Sequence, residues 1–347
     1  MKRSLFMLGV AVAALSSCSN NEVLDIAESN AIKFSNTFVG KPTRGVTAPE
    51  LTTDNLKEMY VFASNNDGQV FDDNPKLVYR IGETNEWGYD NLVAWVANKN
   101  YNFVAYAGKD LGESVEDNDD KKSLKFSGIV VNGDKDNQFD LLYSNTVERS
   151  PATVDGNHMI DFTFDHLLSM VQFTLKSGFG ATTEVKITNF KFYGVKTTGS
   201  YDASQESPAW TLTATANTKD DTNFKSDAEE TAQYKADATK DVINSWVIIP
   251  QKNTDSDKVE MVKFTVNVVD GESKAQIGTK DFTAKIPSIT WEKGYRYNYI
   301  FTITPEQMGV ADQYITFDAP KVTEWDDDTN LTIDEDNSST SGVEFVE

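Results

Sequence analysis

Apolar residues recur at every second position in short runs, and clusters of Gly, Asn, Asp and Ser separate the runs. A period of two puts alternate side chains on opposite faces of an extended chain, so the pattern predicts strands rather than helices. In the first run, Ala31–Val39, Ile32, Phe34 and Phe38 fall on even positions and predict one buried face. Met59–Ala63 follows, closed by the turn residues Asn65-Asn66-Asp67-Gly68, then Leu77–Ile81 and Tyr101–Ala107. Further strands are predicted at Lys125–Val131, Asp140–Ser144, Met159–Phe164, Ser169–Lys176, Glu184–Val195, Trp210–Thr215, Ser245–Ile249, Val259–Val269, Lys280–Ile286, Tyr295–Ile303 and Ile315–Phe317. They are rich in Val, Ile, Phe, Tyr and Thr, which suit a pleated, half-buried surface. Only Thr53–Glu58 and Ala228–Ala238 could supply a helical turn or two, and no fixed-period repeat marks a solenoid or propeller. The inventory predicts an all-β chain packed as two β-sandwiches.

The gaps between runs predict the organisation. The turn-rich, weakly apolar stretch Ser150–Asn157 reads as a boundary, with an N-terminal sandwich over 46–155 and a C-terminal one over 156–330. Thr215–Asp241 is polar and aromatic-poor and reads as a mobile surface insertion. Asp334–Ser341 reads as part of a flexible tail over 331–347, although Val343–Val346 alternates again.

The N-terminus follows a different logic. Lys2 and Arg3 precede an apolar run, Leu5–Leu15, of signal-peptide length and too short for a stable membrane span. The run ends in Leu15-Ser16-Ser17-Cys18, which resembles the bacterial lipobox and predicts removal of 1–17 with lipidation of Cys18. Acyl chains add about 0.8 kcal/mol of membrane affinity per buried methylene. Ser19–Asn30 reads as a tether, and Gly40, Pro42 and Gly45 break the first strand so that Arg44 stands exposed.

Composition narrows the function. The 347 residues suit two domains, and 54 acidic against 32 basic side chains give a net charge of −22. Such a surface repels phosphate backbones, which excludes nucleic acid as a partner. One cysteine and two histidines rule out an intramolecular disulfide and a Cys/His zinc cluster. Acidic clusters at Asp117–Asp120, Asp134–Asp140 and Asp326–Asp328 lack calcium-loop spacing and read as solvated loops. His158 and His166 have no serine or cysteine motif beside them and read as structural. Trp87, Tyr89 and Trp95 could form an aromatic platform for sugar, although core packing is the commoner use of such residues. No nucleophile elbow, phosphate loop or dinucleotide fingerprint is present, so neither catalytic residues, metal ligands nor a cofactor are predicted.

Six segments run in order along almost the whole chain: the lipobox-to-Pro42-Thr43-Arg44-Gly45 assembly, Trp95 with Tyr101–Tyr106, Phe162–Val171, Trp246–Gln251, Trp291–Tyr297 and Val322–Trp325. Together they resemble the Bacteroidetes fimbrillins, subunits of type V pili. In the third, Met170 stands where the family usually has a basic residue. The resemblance implies two transthyretin-like Greek-key β-sandwich domains in tandem and a structural or tip subunit rather than an enzyme. It implies an outer-membrane lipoprotein precursor that an Arg-specific surface protease cuts between Arg44 and Gly45. The cut would free the lipid together with the strand carrying Ile32, Phe34 and Phe38. Subunits, self or related, would then join by strand exchange into a fimbrium supporting adhesion to a host or bacterial surface ligand that the sequence does not name. The donor would be the C-terminal segment with Leu331, Ile333, Val343 and Phe345. A surface glycan-binding lipoprotein and a membrane-retained fimbrial anchor are the alternatives.

Overall fold

The computed structural model describes residues 30–40 and 50–324, except 83, 85, 153–157, 181, 214–215, 217–223, 227–229, 234–241, 254–257, 310–313 and 318. The described chain is all-β, with one short helix at Pro305–Gly309 and two 3₁₀ turns.

A nine-stranded sheet gathers the first half. Its order runs Lys33–Val39, Met159–His166, Leu142–Ser144, Tyr101–Ala107, Glu58–Asn65, Lys76–Arg80, Trp87–Gly88, with two short strands beside the path. The first pair is parallel and the rest antiparallel. The central strands bury both faces. Val61, Ala63, Phe103 and Ala105 point into a smaller core, while Phe62, Val104 and Tyr106 point into a larger one. Burial on both faces explains why Tyr101–Ala107 reads as a nearly continuous apolar run.

The larger core belongs mostly to the second half. Ser169–Ser177 lies between Val242–Ile248 and Tyr295–Ile303, with Lys321–Glu324 at the edge. Facing it, Thr183–Phe192, Lys258–Asp270, Gln276–Pro287 and Tyr314–Thr316 form a second sheet. A four-stranded sheet joins the halves: Thr198–Asp202 pairs with Leu124–Val130. Residues 153–157, where a boundary is expected, lie outside the described residues. The strand after them, Met159–His166, belongs to the nine-stranded sheet, so the chain changes sheets at Leu167–Leu168.

Two expectations need correction. Within Thr215–Asp241, Lys225–Ser226 and Glu230–Gln233 pair with Thr183–Phe192, and Phe224 is buried against Phe192 and Trp246. The described part of that segment is thus sheet edge, and Ala228–Ala238 contains a strand where a helical turn is expected. Thr53–Asn55 forms only a turn.

Candidate assembly site

The edge strand Lys33–Val39 closes the smaller core from the side. Its parallel ladder pairs Lys33, Phe34 and Ser35 with Met159, Ile160 and Asp161, slips, and resumes with Phe38 at Thr163 and Val39 at Phe164. The slip is a bulge, and one extra residue reverses which positions face inward. Ile32 and Phe34 point into the core before it, Thr37 and Val39 after it. Phe38 is therefore not a core residue, contrary to the even-position pattern. It lies half-buried in a cleft of about 420 Å³ with Gly40, Asp165, Lys293, Tyr295 and Glu324.

Phe34 is the centre of the contact. Its ring stacks on Phe162 at 6.0 Å and meets Tyr89 edge-on at 5.7 Å and Phe103 at 6.4 Å. The start of the strand is tied by Ile32 N–H to the Val93 carbonyl (2.8 Å), and the Tyr89 hydroxyl donates to the Ile32 carbonyl (2.9 Å). Burial pushes the Tyr89 phenol up to about 12. At the other end Val39 N–H donates to Thr53 Oγ1 (3.0 Å) and Gly40 N–H to the Phe164 carbonyl (2.9 Å).

Withdrawing this strand would uncover Ile160, Phe162 and Phe164 together with unpaired backbone groups, which is a template for an incoming strand. Refilling the place buries large apolar side chains at roughly 1.5–3 kcal/mol each. Ladder hydrogen bonds add about 0.5–1.5 kcal/mol apiece.

The chain beyond residue 49 is held independently. Glu50 is buried, and its Oε2 lies 3.0 Å from Arg296 Nη2. Leu51 N–H donates to Asp140 Oδ2 (3.0 Å), which also sits 2.8 Å from His166 Nδ1 in a fully buried pair. Gly108, at φ +117°, permits this approach, because a Cβ there would meet the Asp140 carbonyl oxygen at 1.7 Å. The Glu50–Arg296 pair joins residues 246 apart, and no local pattern announces it. Cys18, Arg44, Gly45, Leu331, Ile333, Val343 and Phe345 lie outside the described residues.

The aromatic platform is not on the surface. Trp87, Tyr89 and Trp95 are 7%, 6% and 3% exposed and belong to the smaller core. Trp95 packs edge-on against Tyr101 and Phe103, with His158 at 6.0 Å. Of the acidic clusters, Asp117 pairs with Lys121, and Asp134 caps a 3₁₀ turn. Asp326–Asp328 lies outside the described residues.

A family profile described as fimbrillin-like matches residues 43–325. The chain belongs to the fimbrillin-like family. This fimbrillin-like chain is a structural protein rather than an enzyme. Among solved structures it is similar to a provisionally named cell adhesion protein from Bacteroides ovatus, at 14% identity and TM-score 0.49. That match covers 86% of this chain and 98% of that one. A provisionally named cell adhesion protein from Bacteroides uniformis matches at 13% identity and TM-score 0.42, with the same coverage of each chain. A fimbrial protein from Bacteroides ovatus matches at 12% identity and TM-score 0.38, over 80% of this chain and 50% of that one. No curated protein matches the fimbrillin-like chain.

Proposed function

We propose that this chain is a structural or tip subunit of a cell-surface fimbrium that supports adhesion. It is exported as an outer-membrane lipoprotein on Cys18 after loss of 1–17, with 18–44 as tether and propeptide strand ahead of two tandem sandwiches. An Arg-specific surface protease cuts at Arg44–Gly45, the Lys33–Val39 strand leaves, and a C-terminal donor segment from another fimbrial subunit refills its place. The observation that carries this reading is the edge strand itself. Phe34 and Val39 complete a core from a sheet margin where one ladder holds them, and Ile32 joins that core just before the ladder begins. Glu50 and Leu51, six and seven residues past Arg44, have their own anchors, so cutting there would leave the remainder pinned.

Treatment of the purified precursor with an Arg-specific protease tests the reading. High-molecular-weight ladders are expected from the native chain and none from Arg44→Ala. Mass spectrometry of protein from intact cells should find an N-terminus at Gly45. A lipidated Cys18 retained on essentially all surface copies would sink the released-subunit version and favour the retained anchor. Burial of Trp87 and Trp95 removes the platform on which the glycan-binding alternative depended.

A further inference from the structure

The nine-stranded sheet curls until its two ends approach each other. Ala31 bridges Ala94, and Trp95 N–H reaches the Asn30 carbonyl, yet Lys33–Val39 and Trp87–Gly88 do not pair. Between them lies a cavity of about 620 Å³, flanked by Ala31–Ser35 on one side and Glu86–Tyr89 with Leu92 on the other. Ten large apolar side chains are exposed among the described residues, and four of them, Tyr79, Ile81, Leu92 and Met159, line this one seam. Gly88 leaves room for Ile81, whose Cδ1 would lie 3.0 Å from a Cβ placed there. An open strand edge beside apolar side chains is an aggregation template unless something covers it.

We infer that the chain's own C-terminal segment, Val343–Val346, covers the seam in the uncut precursor. Three observations select this occupant. Glu324, the last described residue, lines the same cleft as Phe38 and Gly40, so the tail departs from one end of the edge strand. The seam lies at the other end of that strand, which has seven residues and is roughly 23 Å long. Residues 325–342 supply eighteen residues of chain, whose full extension of about 60 Å exceeds that span more than twofold. Val343 and Phe345 are two apart and present one apolar face in an extended segment. A segment tethered this close has an effective concentration in the millimolar range, far above that of a second copy at micromolar protein. The inference concerns the uncut precursor and holds whether or not strand exchange follows.

Cysteine trapping tests it. The full precursor with Cys18→Ser, Ile81→Cys and Phe345→Cys is oxidised with copper phenanthroline at low micromolar concentration. A disulfide within the monomer is expected, seen as a faster non-reduced band and the 81–345 linked peptide. It should form about tenfold or more faster than in a control pairing Phe345→Cys with Ile277→Cys, which lies in another sheet and is 62% exposed. Dimers whose yield rises with protein concentration would assign the seam to a second copy. Equal rates for the two pairs would leave it without the tail. Either result overturns the proposal. Ile81 and Ile277 are both exposed, and thermal melts matching Cys18→Ser would establish that neither substitution disturbs the cores.

Discussion

Two strands each place a phenylalanine at the heart of a core, and they differ in how they could leave. Ser169–Ser177 is paired on both sides, antiparallel to Val242–Ile248 and parallel to Tyr295–Ile303. Its Phe173 lies within 5.4 Å of the rings of Phe190, Phe192 and Tyr299. Lys33–Val39 buries Phe34 almost as deeply but has a strand on one side only, a bulge in its ladder, and a buried Thr37 Oγ1 with no partner. Depth of burial is therefore a poor guide to permanence. What bounds the burial decides it: two ladders hold Phe173 in place, whereas Phe34 sits on a margin strand held by a single ladder.

The largest effects should come from the two phenylalanines. Phe173→Ala is expected to cost about 5 kcal/mol, the upper end for such a cavity, in the precursor and in the chain beginning at Gly45 alike. Phe34→Ala should cost about 3 kcal/mol in the precursor and nothing in the chain from Gly45, which lacks the residue. Denaturant melts of the native precursor, its two variants, and the chain from Gly45 with and without Phe173→Ala measure both. An equal loss at Phe34 and Phe173 would erase the distinction between removable and permanent burial.

The same contrast explains what the sequence reveals. Met159–His166 alternates exposed and buried along its whole length, so its period is visible from residue types alone. Ser169–Ser177 is buried at eight of nine positions and keeps no period, yet its apolar content still marks it as a strand. Phe38 misleads because a bulge is a property of pairing, and nothing in Ser35-Asn36-Thr37-Phe38 announces the slip. Trp87 and Trp95 look the same in sequence whether they lie on a surface or beneath one. Lys225–Ser226 and Glu230–Gln233 are polar because they are edge pieces beside a longer strand, and an apolar pattern cannot find them. Glu50 meets Arg296 through tertiary packing alone.

The Glu50 anchor, past the proposed cut, should matter next. Glu50→Gln is expected to cost about 1.5–3 kcal/mol by weakening a charge-assisted contact with Arg296, and equally in precursor and cut chain. A penalty confined to the precursor would place Glu50 with the removable strand instead. Thr37→Val works in the opposite direction. Replacing a buried, unpartnered hydroxyl by a methyl of the same shape should stabilise the precursor by about 1 kcal/mol. It should also slow departure of the strand after proteolysis, read as delayed appearance of the free 18–44 peptide on size exclusion. Unchanged stability would mean that Thr37 contributes no weakness to the margin.

The smallest effect reports most directly on the seat of the strand. Tyr89 donates to the Ile32 carbonyl, and burial, to which the edge strand contributes, holds its phenol near 12 against an ordinary value of 10. Because the folded value is raised, the stability tied to the neutral phenol is complete below pH 10 and is lost as pH rises toward 12. Removing residues 18–44 would take away both the acceptor and part of the apolar cover, so the phenol should ionise at lower pH. The absorbance of tyrosinate, taken as the difference between the native chain and Tyr89→Phe to isolate one phenol among thirteen, reads that shift. A downward displacement in the cut chain would show water reaching the vacated place. An unmoved titration would mean that the rest of the core closes over Tyr89 once the strand has gone, leaving no groove for a donor to enter.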